Sequence, residues 1–191
     1  FTVALAANGA GKKLPVFIIL KEKGGKLGPR VSKSLSFPTN VRVTATTNGW
    51  MTSPMYNWWL NGYDEQRRLL IVDKYKSHTV EDNMRTVKRN CNSDLLFIPA
   101  GCTPLVQPMD VSVNRPFKNK MRELWVAWFS THTEQTTHGN VKTPTRQHVI
   151  DCGCPLHGRA CINPQTIVQS FLLCGITAHI DGSDNDKMFN M

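Results

Sequence analysis

The apolar positions of this chain change period several times, and each change marks an element. Residues 2–8 (TVALAAN) and 13–20 (KLPVFIIL) form two extended apolar runs separated by Gly9, Ala10 and Gly11. Glycine reaches the positive φ that a tight reversal needs, so the pattern predicts a β-hairpin. Pro15 has no N–H for a ladder and belongs at an edge or a strand start. Residues 41–46 (VRVTAT) alternate and predict a strand ended by Asn48 and Gly49. Residues 21–40 between them are rich in Lys, Gly, Ser and Pro and read as a basic surface loop.

Beyond residue 50 the period lengthens. Thr52 or Ser53 is placed to cap a helix with Pro54 in its first turn, and Met55, Trp58 and Trp59 fall on one face as core residues. Residues 67–72 (RRLLIV) then predict a short strand buried on both faces, as in a parallel sheet. A helix starting at Thr79 follows. Its acids, Glu81 and Asp82, come first and its bases, Arg85, Lys88 and Arg89, come last, which complements the helix dipole. Residues 94–98 form a second short strand stopped by Pro99. Strand, helix and strand in this order make a βαβ unit with a parallel pair.

Residues 100–108 are a loop with two prolines. From Met109 the pattern is helical: Phe117, Met121, Leu124 and Trp128 define an apolar face, and Arg115, Lys118 and Arg122 a basic stripe. Pro116 belongs in the first turn or kinks the helix, so the long helix is expected to begin near Arg115. Residues 130–160 look irregular, residues 163–176 predict a helix with Pro164 in its first turn and Gly175 as its stop, and residues 177–191 read as an acidic disordered tail.

Charge narrows the function classes. The formal net charge is +9, which favours a polyanionic partner such as nucleic acid. No apolar run approaches the ~20 residues needed to cross a membrane. The six cysteines lack the rhythm of a disulfide framework, so reduced thiols in a nuclear or cytosolic setting are expected. Cys152, Cys154, His157 and Cys161 give a C-x-C-x2-H-x3-C pattern, but this is not a common zinc-knuckle spacing, and Zn²⁺ is not expected there.

Two acids carry the chemistry. Asp73 ends the strand at 67–72, and Asp110 opens the long helix. In a parallel α/β sheet the C-terminal strand ends form the site-bearing edge. Ionised carboxylates converging there would suit Mg²⁺ or Mn²⁺, and two such ions ~4 Å apart activate water and stabilise the leaving oxygen of a phosphodiester. Taken singly, each Asp reads as a cap for the turn or helix that follows it.

The stretch LLIVD with Ser77 and His78 after it, then FIPAGCTPLVQPMD and a helix bearing Phe117 and Lys118, resembles the pogo/Tigger/Jerky-type DDE superfamily endonuclease domain. The resemblance covers residues 1–176 and includes the opening hairpin, Trp50, Met51 and Thr52 before a helix, and TIVQSFLLCGI near the end. It implies an α/β, RNase H-like mixed sheet with flanking helices. It also implies transposase-derived, Mg²⁺-dependent DNA cleavage and strand transfer in the nucleus. Asp73 and Asp110 would be the second and third acids and metal ligands, with His78 beside them. Lys74, Lys76, Arg115, Lys118 and Arg122 would lie along the DNA. The family's first acid sits on a strand before the hairpin, whereas here no Asp or Glu precedes Glu22. The expected domain is therefore partial and lacks the sheet's first strand, and a homodimer would be built through regions outside it. Lys74 stands where the family commonly has Asn. That departure and the missing acid leave a second reading open, a domesticated or degenerate module that binds DNA or protein and cuts nothing.

Overall fold

The structure is a computed structural model and describes residues 1–62, 67–132, 134–157 and 162–188, the side chains of 154–157 excepted. Strand β1 (Thr2–Ala4) pairs antiparallel with β2 (Val16–Lys21), so the expected hairpin is present, with Pro15 immediately before the second strand. Its turn is held by Asn8, whose Oδ1 accepts from the N–H groups of Ala10 at 3.1 Å and Lys12 at 2.9 Å. Gly11 has φ +82°, and a Cβ there would meet the Pro164 carbonyl at 2.8 Å, so no other residue fits. Strand β3 (Val41–Thr46) runs parallel to β2, with Val16 opposite Val41.

Strand β2 is the centre of this three-stranded sheet, and its unbroken apolar run is covered on both faces. Val16, Ile18 and Leu20 pack with Val149 and Ile150 on one side. Phe17 and Ile19 pack with Tyr56, Trp59, Leu60, Val87 and Cys91 on the other. Period-two alternation therefore splits one strand between two cores.

Short helix α1 (Pro29–Ser34) interrupts the stretch expected to be loop. It buries none of its residues, so no apolar periodicity announced it. Helix α2 (Ser53–Leu60) has Pro54 in its first turn as expected, but its inward residues are Tyr56, Trp59 and Leu60. Trp58 is 46% exposed, with its ring beside that of Phe17 at 5.3 Å and the Arg42 guanidinium over it.

Strand β4 (Arg68–Val72), helix α3 (Glu81–Arg89) and strand β5 (Ser93–Phe97) form the βαβ unit, with the strands parallel and Val72 opposite Phe97. They make a separate two-stranded sheet. Leu70 and Leu95 pack against the second core, but Leu69 is 54% and Leu96 47% exposed. Strand β4 is thus not buried on both faces. An apolar run reports what a strand can bury, and here only one face is well covered.

The rest of the described chain is helical: α4 (Thr103–Val106), a π turn at Met109–Val113, α5 (Asn114–Thr131), α6 (Arg146–His157) and α7 (Pro164–Leu173). Pro116 accounts for the π turn. It has no N–H to donate, and its ring would clash with the carbonyl one α-turn earlier. The backbone before it widens, with the Asn114 N–H bonding to the Met109 carbonyl. Val113, Phe117, Ile162 and Ile167 form a third core.

Helix α6 corrects the expectation that residues 130–160 are irregular. Its Val149 and Ile150 cover β2, and Gly153 lets it approach so closely that a Cβ there would lie 2.8 Å from Ile18 Cδ1. Helix α7 matches expectation, capped by Asn163 Oδ1 accepting from the Gln165 N–H and stopped at Gly175, φ +71°. Beyond it, where the acidic composition reads as disorder, residues 177–188 make turns around a buried Asp184, which accepts from the His179 N–H and Lys187 Nζ. Among the described residues, no helix is long and apolar enough to cross a membrane.

Candidate functional site

Among the described residues, strands β1 and β4 each have a single laddered neighbour, and both line the same cleft, of about 810 Å³. Residues 3–9 and residues 67–73 both line it. Gln107, Pro108, Met109 and Asn114 lie among its remaining lining residues. Asp73, at the C-terminal end of β4, lines this cleft together with His78.

Asp73 is held by the turn that follows it. His78 Nδ1 lies 2.8 Å from Asp73 Oδ1 and 3.1 Å from the Asp73 carbonyl. Both partners are acceptors, so Nδ1 is the protonated nitrogen. The Tyr75 N–H also donates to Oδ1, at 3.2 Å. One carboxylate oxygen therefore caps the turn, as the bland reading of an isolated Asp has it. The contacts fall on Oδ1 and leave Oδ2 as a donor atom for a ligand. The His78 ring packs against Tyr56 at 4.5 Å and Tyr75 at 5.7 Å.

A buried amide fixes this turn to the helices. Asn83 Nδ2 donates to the carbonyls of Ser77 (2.7 Å) and Ser53 (3.2 Å), while its Oδ1 accepts from Asn57 Nδ2 at 3.3 Å. Asn83 is one of the few fully buried polar residues, and nothing in the apolar pattern singles it out.

Asp110 sits in the π turn at the start of α5. It is not itself a lining residue of the cleft, but its Oδ1 accepts from Asn114 Nδ2 at 2.7 Å, and Asn114 is. The loop before it is anchored by fully buried Ser170, whose hydroxyl donates to the Pro108 carbonyl. The structure thus brings Asp73 and His78 together directly and links Asp110 to the same cleft through Asn114. Asn114 was legible as an i, i+4 neighbour of Asp110 but was not singled out.

Two further polar atoms face a demand the described residues do not meet. Gln107 Oε1 and the Tyr56 hydroxyl are buried without a hydrogen-bond partner, and both residues line the cleft. Burial, reinforced by Cys91 and Asp73, pushes the Tyr56 phenol far above its ordinary range, so it remains a proton donor. Unpaired buried polar atoms are costly, so each is a candidate partner for a polar group entering the cleft.

The basic residues fall in two places. Lys74 and Lys76 are exposed on the turn beside Asp73. Arg115, Lys118 and Arg122 are exposed on α5. Lys12, Lys13, Arg67 and Arg68 line the cleft itself, a set the sequence reading did not gather.

The donor set fits a hard divalent cation in kind: carboxylate oxygens from Asp73 and Asp110 and an unsatisfied amide oxygen from Gln107. It falls short in number, since among the described residues no three of His, Cys, Asp or Glu are grouped to hold a metal ion. For the C-x-C-x2-H-x3-C pattern, the side chains of Cys154 and His157 and all of Cys161 lie outside the described residues. Cys152 is buried with its Sγ 3.4 Å from His148 Nε2.

The described residues form a mixed α/β domain with Asp73 just past a parallel strand end beside the cleft and Asp110 in the turn that opens α5. The chain belongs to the DDE superfamily endonuclease family, which matches residues 1–171. It is similar to human "Pogo transposable element with KRAB domain", 26% identical over 193 residues, covering 96% of this chain and 30% of the relative. The mouse protein of that name is 26% identical over 189 residues, with 94% and 30% covered. Human "Pogo transposable element with ZNF domain" is 20% identical over 195 residues, covering 98% of this chain and 13% of the relative. The chain thus spans less than a third of each of these relatives. No solved structure matches it.

Proposed function

We propose that this chain is the acid-bearing core of a pogo-type DDE nuclease domain that acts on DNA in the nucleus. The observation that carries the reading is the cleft lined by both β1 and β4, each with one laddered neighbour among the described residues, with Asp73 among its lining residues. An extended segment seated there would ladder with both strands, join the two small sheets into one RNase H-like sheet, and could bring a third acid beside Asp73. Asp73, Asp110 and that acid would then hold two Mg²⁺ or Mn²⁺ ions. When bound, such ions supply a hydroxide nucleophile and neutralise charge on the leaving oxygen. The chain's own residues orient the ligands: His78 and the Tyr75 N–H fix Asp73 Oδ1, and Asn114 fixes Asp110 Oδ1. Lys74, Lys76, Arg115, Lys118 and Arg122 would meet backbone phosphates, which gives affinity without sequence preference.

A second reading, a DNA-binding module that no longer cuts, is favoured by Lys74. Lys74 follows Asp73 where the family commonly has Asn, and a cation brought to that carboxylate would oppose metal binding. Nicking of supercoiled plasmid by the full-length protein separates the two. Mg²⁺-dependent nicking that Asp73→Asn abolishes supports the nuclease. Salt-sensitive DNA binding without any nicking supports the module.

A further inference from the structure

The basic stripe of helix α5 continues into two aromatic residues that the acid site does not use. Arg115, Lys118, Arg122, Trp125 and Phe129 are spaced alternately by three and four residues, so they form one straight stripe. The stripe flanks the face on which Phe117, Met121 and Leu124 join the third core. Its three cations are exposed, Trp125 is half-buried, and Phe129 is 39% exposed. The Trp125 and Phe129 rings meet edge to face at 5.9 Å, Phe1 lies 6.1 Å from Trp125, and Trp128 meets Phe129 edge to face at 5.1 Å. The lone carboxylate of α5, Glu123, is off the stripe and paired with Lys120 at 2.8 Å. At about 1.5 Å per residue the stripe runs about 21 Å, cationic towards Asp110 and aromatic at the far end.

The geometry points to a track for single-stranded DNA, with phosphates on the cations and unpaired bases stacked on Trp125 and Phe129. Charge complementarity selects this occupant. A protein interface is depleted of charge at its core and would place acids against these cations. A DNA duplex meets the cations but hides its base faces. Only an unpaired strand offers closely spaced phosphates and open π faces together. The inference deepens the nucleic-acid reading above and rests on it: a strand released beside Asp110 would be led along α5, away from the acids.

The test is binding of the full chain to a labelled oligothymidylate and to a duplex of equal length, over a range of salt. Trp125→Leu and Phe129→Leu keep apolar volume at incompletely buried helix positions and remove the stacking face, with folding checked by circular dichroism. Each is expected to weaken single-strand binding about tenfold and to leave duplex binding unchanged. Lys118→Ala is expected to weaken both and to reduce the single-strand salt slope by about 0.7. Leucine variants that bind the single strand like the parent overturn the track, while a Lys118→Ala effect in that case leaves the nucleic-acid reading standing. Failure to bind either DNA at low salt removes both. Sedimentation showing a dimer that Phe129→Ser dissociates also overturns the track, because the face would then belong to a second copy of the chain.

Discussion

His78 Nδ1 lies 2.8 Å from Asp73 Oδ1, and the same nitrogen is 3.1 Å from the Asp73 carbonyl. One imidazole N–H thus sets both the side chain and the backbone of the acid at the strand end. Removing it frees the carboxylate to rotate out of the cleft. In the full-length protein, His78→Ala is expected to lower any Mg²⁺-dependent nicking about 10- to 100-fold, the usual effect of losing a partner that orients a ligand. Raised Mg²⁺ should recover part of it, whereas Asp73→Asn should not be recoverable. Equal nicking by parent and His78→Ala would show that the turn alone holds Asp73.

Asn83 acts one layer further out. Its amide donates to the carbonyls of Ser77 and Ser53 and so ties the Asp73 turn to α2 and α3. Asn83→Leu would leave buried carbonyls without partners, at a cost of about 1–3 kcal/mol. The expected outcome in urea unfolding is a lower midpoint at unchanged m-value. Hydrogen exchange should speed up first in residues 73–83. A midpoint equal to the parent's would mean that water replaces the amide.

Gly153 faces Ile18 across the α6–β2 interface, and a Cβ there would stand 2.8 Å from Ile18 Cδ1. Glycine inside a helix is worse than alanine by about 1 kcal/mol, so Gly153→Ala gains in backbone entropy. Ile18 is fully buried and has little room to turn aside, and overpacking of this kind costs about 1–3 kcal/mol. The net expectation is destabilisation of about 1 kcal/mol. Ile18→Val removes the offending methyl, so in that background Gly153→Ala should stabilise. A double-mutant cycle by thermal unfolding reads this sign change, and the same sign in both backgrounds would refute the contact.

The same pair shows where the sequence was legible. Strand β2 announces itself because an unbroken apolar run needs cover on two faces, and both covers exist. The helix that supplies one of them was hidden. Val149, Ile150 and Cys152 are buried within α6, but Gly153 and Pro155 look like loop chemistry when read alone. A glycine that permits close packing and a glycine that permits a turn are the same letter. His78 was singled out by the family motif it matches, and its contact with Asp73 spans only five residues of chain. Asn114 was open to a local reading as an i, i+4 neighbour of Asp110 but was not picked out, and Ser170 was hidden because its role depends on how α7 docks. Strand β4 was overread: LLIV measures what can be buried, while Leu69 remains exposed. The aromatic end of the α5 stripe was missed because Trp125 and Phe129 look like core letters, and only the packing of α5 shows which side they occupy.

Arg146 of α6 grips Glu22, just past the end of β2, with Nε on Oε1 and Nη2 on Oε2 at 3.0 Å. The guanidinium holds the Glu22 carboxyl below its ordinary value of 4.5. A depressed carboxylate contributes stability above its unfolded pKa and loses it as pH falls through the folded value. The pair is partly open to solvent, so its contribution is screened and amounts to about 0.5–1 kcal/mol. Glu22→Gln should therefore lower stability at neutral pH by about that amount and approach the parent at an acid pH below the folded value. Salt should shrink the neutral-pH difference. Denaturant titrations at both pH values measure it, and a Glu22→Gln deficit that persists in acid would assign the loss to packing of α6 on the sheet instead of to charge.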